Sequence, residues 1–151
     1  MRKVLAVVVV LILMVGCSRK EYKVHSLSDM MMFVQSIQNV GNLQLKETTV
    51  LDTDQLVSVF GLEEELIELA SGLQGVMNRP IQDVLIIKSK DQKNNQTITK
   101  QLDAYYQQLF MDVDEVSIPA KKIVVEKQDL IFVIVAQEAS AIKQYVEEAL
   151  K

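Results

Sequence analysis

The sequence has one cysteine, one histidine, two prolines and no tryptophan among its 151 residues. One histidine excludes zinc sites built from several histidines, and one cysteine excludes cysteine metal clusters and an internal disulfide. Catalysis of the Ser-His-Asp or Cys-His type needs a histidine on a rigid scaffold, whereas His25 falls in a short polar stretch near the N-terminus. The sequence therefore predicts no catalytic residue, no metal and no cofactor.

Positive charge is also in short supply, with 16 basic against 20 acidic residues and a formal net charge of −4. A scattered, net acidic surface argues against nucleic acid as a partner, because phosphate binding needs a basic patch. The chain is 49% hydrophobic and 24% charged, which is typical of a globular protein. Its length fits one domain, or two very small ones.

One long apolar run is present, from Val4 to Val15, and its 12 residues are too few to cross a membrane. A transmembrane helix needs about 20 apolar residues, whereas a shorter run after Arg2 and Lys3 is typical of a signal peptide. Because the positive residues precede the run, the rest of the chain is expected to be exported.

The end of this run, Met14-Val15-Gly16-Cys17, resembles the lipobox of bacterial lipoproteins. The resemblance implies a diacylglycerol on the Cys17 thiol, cleavage before Cys17, and a membrane partner through that lipid. Two acyl chains anchor a protein stably, so the resemblance implies a location on the outer face of the bacterial cytoplasmic membrane. The alternative is that Cys17 is a buried thiol near the end of an uncleaved anchor.

This interpretation divides the chain into three parts. Residues 1–16 form a cleaved lipoprotein signal peptide, residues 17–26 are the lipidated cysteine and its tether, and residues 27–151 form a single α+β domain.

Apolar residues at helical spacing predict two helices in the first half of that domain. One follows an N-cap at Ser28-Asp29 and stops at Gly41, and the next runs from an Asp52-Thr53-Asp54 cap to Gly61. Their expected inward residues are Met30, Phe33, Val34, Ile37 and Val40, then Leu56, Val57 and Phe60.

Three stretches around these helices are less regular. Asn42 to Leu51 is interpreted as a connection, and Leu62 to Leu73 fits either a helix or a strand. Gly72-Leu73-Gln74-Gly75 lacks the spacing of a phosphate-binding loop and is interpreted as a turn.

The second half predicts three strands and two helices. Val84 to Ile87 is a buried strand, and Ile123 to Val125 forms an antiparallel hairpin with a central strand at Leu130 to Val135. The long helix buries Ile98, Leu102, Tyr105 and Leu109, and the last helix buries Ala141, Ile142, Tyr145, Val146 and Ala149. Tyr106 falls off this stripe, and its exposure would be a mild hint of an interface.

The order of elements predicts an α+β fold, a two-layer sandwich in which a mainly antiparallel sheet of about 3–4 strands packs against helices. One core is expected to contain Val84, Ile86, Leu102, Ile131 and Val133.

Two acidic clusters could carry chemistry, but each has a simpler interpretation. Asp112, Asp114 and Glu115 could bind a hard cation, yet the rest of a calcium loop is missing and a solvated break is favoured. Glu63 to Glu65 and Glu68 could supply an acid-base pair, although consecutive glutamates are usually surface residues.

The runs Leu51 to Gly61, Asp83 to Lys88, Ile123 to Val125 and Leu130 to Val135 resemble those of small uncharacterised lipoproteins of Gram-positive bacteria (Firmicutes). That family has a single α+β domain of unknown function. The resemblance implies a strand at about Glu65 to Leu73 and brings no catalytic residues.

These observations favour a non-catalytic interaction or accessory module of the cell envelope, with an envelope protein as its partner. The alternative is a lipoprotein that binds a small ligand, a peptide or a cell-wall fragment. In both hypotheses the protein is not an enzyme, and its binding residues are unknown.

Replacing the proposed lipid-bearing residue tests the anchor. Cys17→Ser should abolish incorporation of radiolabelled fatty acid and leave the protein secreted or held as an uncleaved precursor, because no other thiol is present. Equal labelling of wild type and Cys17→Ser would contradict the lipobox interpretation.

Overall fold

The computed structural model describes residues 24–37, 40, 48–75, 81–112 and 121–151, without the side chain of Asp112. The described residues form four α-helices, five β-strands and two short 3-10 turns. In chain order the helices and strands are α1 (Leu27–Ile37), β1 (Thr48–Leu51), α2 (Thr53–Phe60), β2 (Ile67–Gly75), β3 (Asp83–Ser89), α3 (Asn95–Asp112), β4 (Lys121–Lys127), β5 (Leu130–Ala136) and α4 (Ala139–Ala149).

The five strands form one antiparallel sheet in the order β1-β2-β3-β5-β4. The expected 3–4 strands were too few, because β1 lies in the stretch interpreted as a connection. The segment from Leu62 to Leu73, which fitted either a helix or a strand, contains one 3-10 turn at Glu64–Leu66 and then enters strand β2.

The predicted turn at Gly72 to Gly75 is wrong, since both glycines lie in β2. Gly72 is needed for packing, because a Cβ there would lie 2.7 Å from Leu85 Cδ2 and 3.3 Å from Leu56 Cδ1. The glycine lets α2 and a neighbouring strand approach the β2 backbone closely, which is a strand role of glycine and not a turn role.

Alternate residues of β3 and β5 pack on opposite faces of the sheet. Val84 and Ile86 belong to a core formed with α1 and α4, while Leu85 and Ile87 belong to a second core formed with α2 and α3. We call these the α1/α4 core and the α2/α3 core. The helices therefore cover both faces, and the expected two-layer sandwich with one core is corrected to three layers with two.

The divided core separates residues that were expected to be together. Val84 and Ile86 lie in the α1/α4 core, whereas Leu102, Ile131 and Val133 lie in the α2/α3 core. The physical reason is the strand period of two, which sends successive side chains to opposite faces.

Helix α2 forms as predicted. The Asp52 side chain accepts a hydrogen bond from the Gln55 backbone N–H at 2.9 Å, and the Asp52 backbone N–H donates to Gln55 Oε1 at 3.1 Å, which completes a capping box. Gly61 ends the helix with φ of 63°, a left-handed conformation that glycine adopts without strain.

Helix α1 begins earlier than predicted. The Asp29 backbone N–H donates to Ser26 Oγ at 3.2 Å, so the capping hydroxyl comes from Ser26 and not from Ser28. Val24, 9% exposed, already packs in the α1/α4 core. The packed part of the described chain therefore starts ahead of the helix.

The inward stripes of α3 and α4 differ from the prediction at two places. Tyr106 is fully buried and Tyr105 only partly, because the buried stripe continues from Ile98 and Leu102 by steps of four. Ala141 is exposed, and Ala139 takes the buried position at the start of α4. The exposed Tyr106 that would have hinted at an interface is thus ruled out.

The predicted signal peptide and lipobox, with Cys17, lie outside the described residues, as do Asp114 and Glu115.

Truncation of the central strand tests the α2/α3 core. Ile131→Ala should lower the free energy of unfolding by about 2–5 kcal/mol, because it leaves a cavity at a fully buried site. Val133→Asp should be more severe, since it buries a charge. Met32→Ala, at a side chain that is 59% exposed, is the control and should change the melting curve little. Unchanged melting of Ile131→Ala would show that the strand is not central.

Candidate functional site

Among the described residues one carboxylate is buried, and it belongs to Asp83, the first residue of β3. Its side chain is on the α2/α3 side of the sheet, where Tyr106 Oη donates a hydrogen bond to Oδ2 at 2.9 Å. The Gly75 backbone N–H, from the end of β2, donates to Oδ1 at 3.3 Å. Two strands and one helix thus converge on this carboxylate.

Burial dominates the electrostatics of the Asp83–Tyr106 pair. It raises the pKa of Asp83 from its ordinary 3.8 to about 6, while the hydrogen bonds from Tyr106 and Gly75 act in the opposite direction. Burial and the neighbouring Asp83 charge also raise the pKa of Tyr106 well above 10. The tyrosine therefore stays protonated and donates, whichever form the carboxyl takes.

The ring of Tyr106 belongs to a group of aromatic side chains that reaches the surface. Its centroid lies 5.2 Å from that of Tyr105 and 6.0 Å from that of Phe110. Tyr105 packs edge-on against Phe60 at 4.7 Å. Tyr105 and Phe110 are partly exposed, and the adjoining Met111 is 83% exposed. We call Tyr105, Phe110 and Met111 the α3-end patch.

A lysine of β4 lies against the same tyrosine. Lys122 Nζ is 5.8 Å from the centroid of the Tyr106 ring, within the range of a cation–π interaction. The same ammonium forms an ion pair with Asp103, one turn earlier on α3. Lys122 therefore links the outer strand of the sheet to the middle of the helix.

The Asp83–Tyr106 pair can hold a proton, but its geometry favours positioning over catalysis. A general acid or base must come within about 2.6–3.2 Å of the substrate atom that it serves. Asp83 is only 3% exposed, and both of its oxygens accept hydrogen bonds from the protein itself. The pair therefore fastens α3 to the sheet.

A second buried polar group fastens the other end of α3. Asn95 donates from Nδ2 to the Gln128 carbonyl at 2.8 Å, and its Oδ1 accepts from Ser89 Oγ at 2.7 Å. The Ser89 backbone N–H donates to the Asp129 carbonyl at 2.8 Å. Gln128 has φ of 56°, a left-handed conformation that is uncommon outside glycine and asparagine. The hydrogen bond from Asn95 to the Gln128 carbonyl therefore stabilises this turn of the β4–β5 hairpin, where a glycine would adopt the same conformation without strain.

The glutamates predicted as candidates lie on the surface. Glu63 to Glu65 and Glu68 are exposed, as their surface interpretation expected. Glu68 pairs with Lys88 at 2.8 Å, and Glu63 accepts from Gln101 Nε2 at 2.6 Å. Asp112 is the last residue of α3, and its proposed neighbours lie outside the described residues.

His25 is exposed at the start of the described chain, and its backbone N–H donates to Asp29 Oδ2 at 3.1 Å. This bond places His25 at the first turn of α1, on the edge of the α1/α4 core.

Sequence reasoning missed Asp83 and gave Tyr106 the wrong environment. Asp83 stands directly before the apolar run of β3, which was the one available signal that it might be buried. Nothing in the spacing links it to a tyrosine 23 positions later, because that contact depends on how α3 lies across the sheet.

Within the described ranges, no group of three or more His, Cys, Asp or Glu side chains is arranged to hold a metal ion. None of the helices in these ranges has the length and apolar character needed to cross a membrane.

Comparison with known proteins gives one family. The sequence model described as "Domain of unknown function (DUF4358)" matches residues 41–136, which include the whole sheet and both polar groups at the ends of α3. Neither the curated proteins nor the solved structures contain a match to this chain.

The buried carboxyl predicts a pH dependence of stability. Because the folded-state pKa of Asp83 is raised to about 6, the native state binds this proton more tightly than the unfolded state does. Its contribution to stability is therefore full below about pH 4 and is lost as the pH rises through 6. The loss amounts to about 3 kcal/mol, at about 1.4 kcal/mol per pKa unit.

Urea unfolding of wild type and Asp83→Asn between pH 4 and pH 7 measures this difference. Asp83→Asn should be relatively more stable at pH 7 than at pH 4, because the amide does not ionise. Asp91→Asn, at an exposed carboxyl whose pKa is lowered by hydrogen bonds from Lys93, is the control and should not remove the loss. Parallel curves for wild type and Asp83→Asn would contradict the raised pKa.

Proposed function

The chain belongs to the family of the DUF4358 domain, whose function is unknown, so we propose a function from the sequence and geometry of the chain itself. The protein is a lipid-anchored, extracytoplasmic module of a Gram-positive cell envelope, and it acts by binding and without catalysis. Its anchor is a diacylglycerol on Cys17, and its partner is an envelope protein.

The short distance between the anchor and the packed domain supports this proposal. Six residues, from Ser18 to Lys23, separate Cys17 from Val24 in the sequence. Even fully extended, a connection of this length spans only about 25 Å. The domain would therefore act close to the membrane surface, within reach of other envelope proteins and not deep in the cell wall.

The proposal that the protein is not catalytic rests on Asp83, whose carboxyl is buried and hydrogen-bonded within the protein. Burial raises the pKa of Asp83 to about 6, and a pKa shifted toward neutrality is a usual mark of a catalytic acid or base. Its oxygens are bonded to Tyr106 and Gly75, so the perturbed group serves the fold. Among the exposed carboxylates, Glu68 forms a surface ion pair with Lys88.

The α3-end patch favours a second candidate function, binding of a small ligand, a peptide or a cell-wall fragment. Tyr105 and Phe110 offer partly exposed rings, and Met111 offers a long apolar side chain beside them. Apolar surface next to aromatic rings is typical of contacts with ligands and proteins.

An activity screen tests the absence of catalysis. The full chain in detergent should hydrolyse ester, phosphoester, peptide and glycoside substrates no faster than a heat-unfolded sample of the same chain. Turnover that disappears in Glu63→Gln, Glu68→Gln or Asp83→Asn, with the melting temperature retained, would overturn the proposal.

Exchange of Met111 separates the two binding hypotheses. If the patch takes a small ligand or cell-wall fragment, muropeptides should raise the melting temperature of wild type, and Met111→Glu should remove that rise. Met32→Glu, at the other strongly exposed methionine, is the matched control. The interaction module would be favoured by a different result. Muropeptides would then leave the melting temperature of wild type unchanged, and wild type, but not Met111→Glu, would capture a protein from intact membranes.

A further inference from the structure

Strand β4 is an edge of the sheet whose outer side is not paired by any described residue. It is hydrogen-bonded along Lys121–Lys127 to β5 alone, in an unbroken register without a bulge. Its three central residues, Ile123, Val124 and Val125, are only partly buried although they are apolar. A regular edge strand of this length is a template for pairing with another strand.

The sequence of β4 is complementary to itself when a second copy runs antiparallel with Val124 opposite Val124. In that register Ile123 faces Val125 of the other copy, so apolar residues meet apolar residues. Lys122 faces Glu126, and symmetry makes this ion pair twice. Opposite charges directly across two strands stabilise pairing. Lys121 faces Lys127 at the two ends, where the side chains extend into solvent.

Neighbouring registers lack this match. A centre at Ile123 places Lys122 opposite Val124, and a centre at Val125 places Val124 opposite Glu126. Centres between two residues are excluded, because antiparallel partners must point to the same face of a sheet. Only the register centred on Val124 pairs Lys122 with Glu126 and apolar residues with apolar residues.

The charged groups are free to make these contacts. Glu126 is exposed, and its contacts with Thr99 and Asn95, at 3.4 and 3.5 Å, are long. Lys122 pairs with Asp103, but an ammonium has three donors, so one bond does not exhaust it.

We propose that two copies of this chain associate through β4, in antiparallel register centred on Val124, to form one continuous sheet of ten strands. Such a pair has its two-fold axis perpendicular to the sheet, so the α1/α4 cores of both copies lie on the same side. Val24, where the described chain begins, packs in that core. Both N-termini therefore leave the dimer on one side, as two anchors in one membrane would require.

Cysteine crosslinking of the full chain, in membranes and in detergent, tests the register. Directly opposite residues have Cα atoms about 4.5–5.5 Å apart, within disulfide range, so Val124→Cys should give a covalent dimer on mild oxidation. Ile123→Cys and Val125→Cys should each fail alone, because the two copies of a residue one place from the centre are offset by two positions along the strands and lie about 8 Å apart. Mixed together, these two variants should crosslink. Wild type, which retains Cys17, gives the background.

A charge reversal tests the ion pairs independently of any thiol. Glu126→Lys places a lysine opposite Lys122 at both symmetry-related positions. It should weaken dimerisation about tenfold in sedimentation of the full chain in detergent. Glu65→Lys, an equal change of charge at an exposed residue on a 3-10 turn, should leave dimerisation unchanged.

Three outcomes would overturn the proposal: no dimer band with Val124→Cys, bands of equal strength for all three single variants, or equal dimerisation of both charge variants. A Val124→Cys product that contains a different protein by mass spectrometry would assign the edge to a foreign strand. The experiments in detergent do not depend on a lipid anchor. A failure to dimerise in detergent would therefore contradict the dimer without contradicting the proposed location at the membrane.

Discussion

Strands β3 and β5 of the sheet are apolar on both faces, and this constraint dictates the rest of the architecture. Val84 to Ile87 and Ile131 to Ala136 are fully buried, without the alternation that an exposed face would need. Water must therefore be kept from both sides of the sheet. Helices α1 and α4 do so on one side, and α2 and α3 do so on the other, so that four helices cover these two strands.

Helix α3 is fastened at two places by buried polar side chains. Asn95 at its first residue bonds to the hairpin turn at Gln128, and Tyr106, two thirds of the way along the helix, bonds to Asp83. Because Lys88 pairs with Leu130 and Asp83 with Val135, these fastenings lie at opposite ends of the inner strands. The helix thus has one position along the sheet, which apolar contacts alone specify less sharply.

Local patterns predicted the elements that depend on neighbouring residues and failed where distant contacts decide. The capping box of Asp52 and Gln55 and the buried run at Val84 are local, and both are as expected. Gly72 looks like a turn residue until Leu56 and Leu85 are known to approach it. Tyr105 and Tyr106 fit helical stripes almost equally well, and the buried acceptor Asp83 decides between them. The second core was missed because residues of both strand faces, such as Val84 and Ile131, were assigned to one core although the strand period of two separates them.

The order of the strands also has a consequence for how this chain folds. Strands β1, β2 and β3 follow one another in both chain and sheet, and β4 and β5 form a hairpin, so both units can form from nearby residues. They are joined through β3 and β5, whose paired residues are separated by 42 positions for Lys88 and Leu130 and by 52 for Asp83 and Val135. Closing a loop of this size costs entropy before any contact is gained, and α3 supplies 18 of the 41 residues between Lys88 and Leu130. Because formation of that helix shortens the connection, we expect it to speed the meeting of the two halves of the sheet.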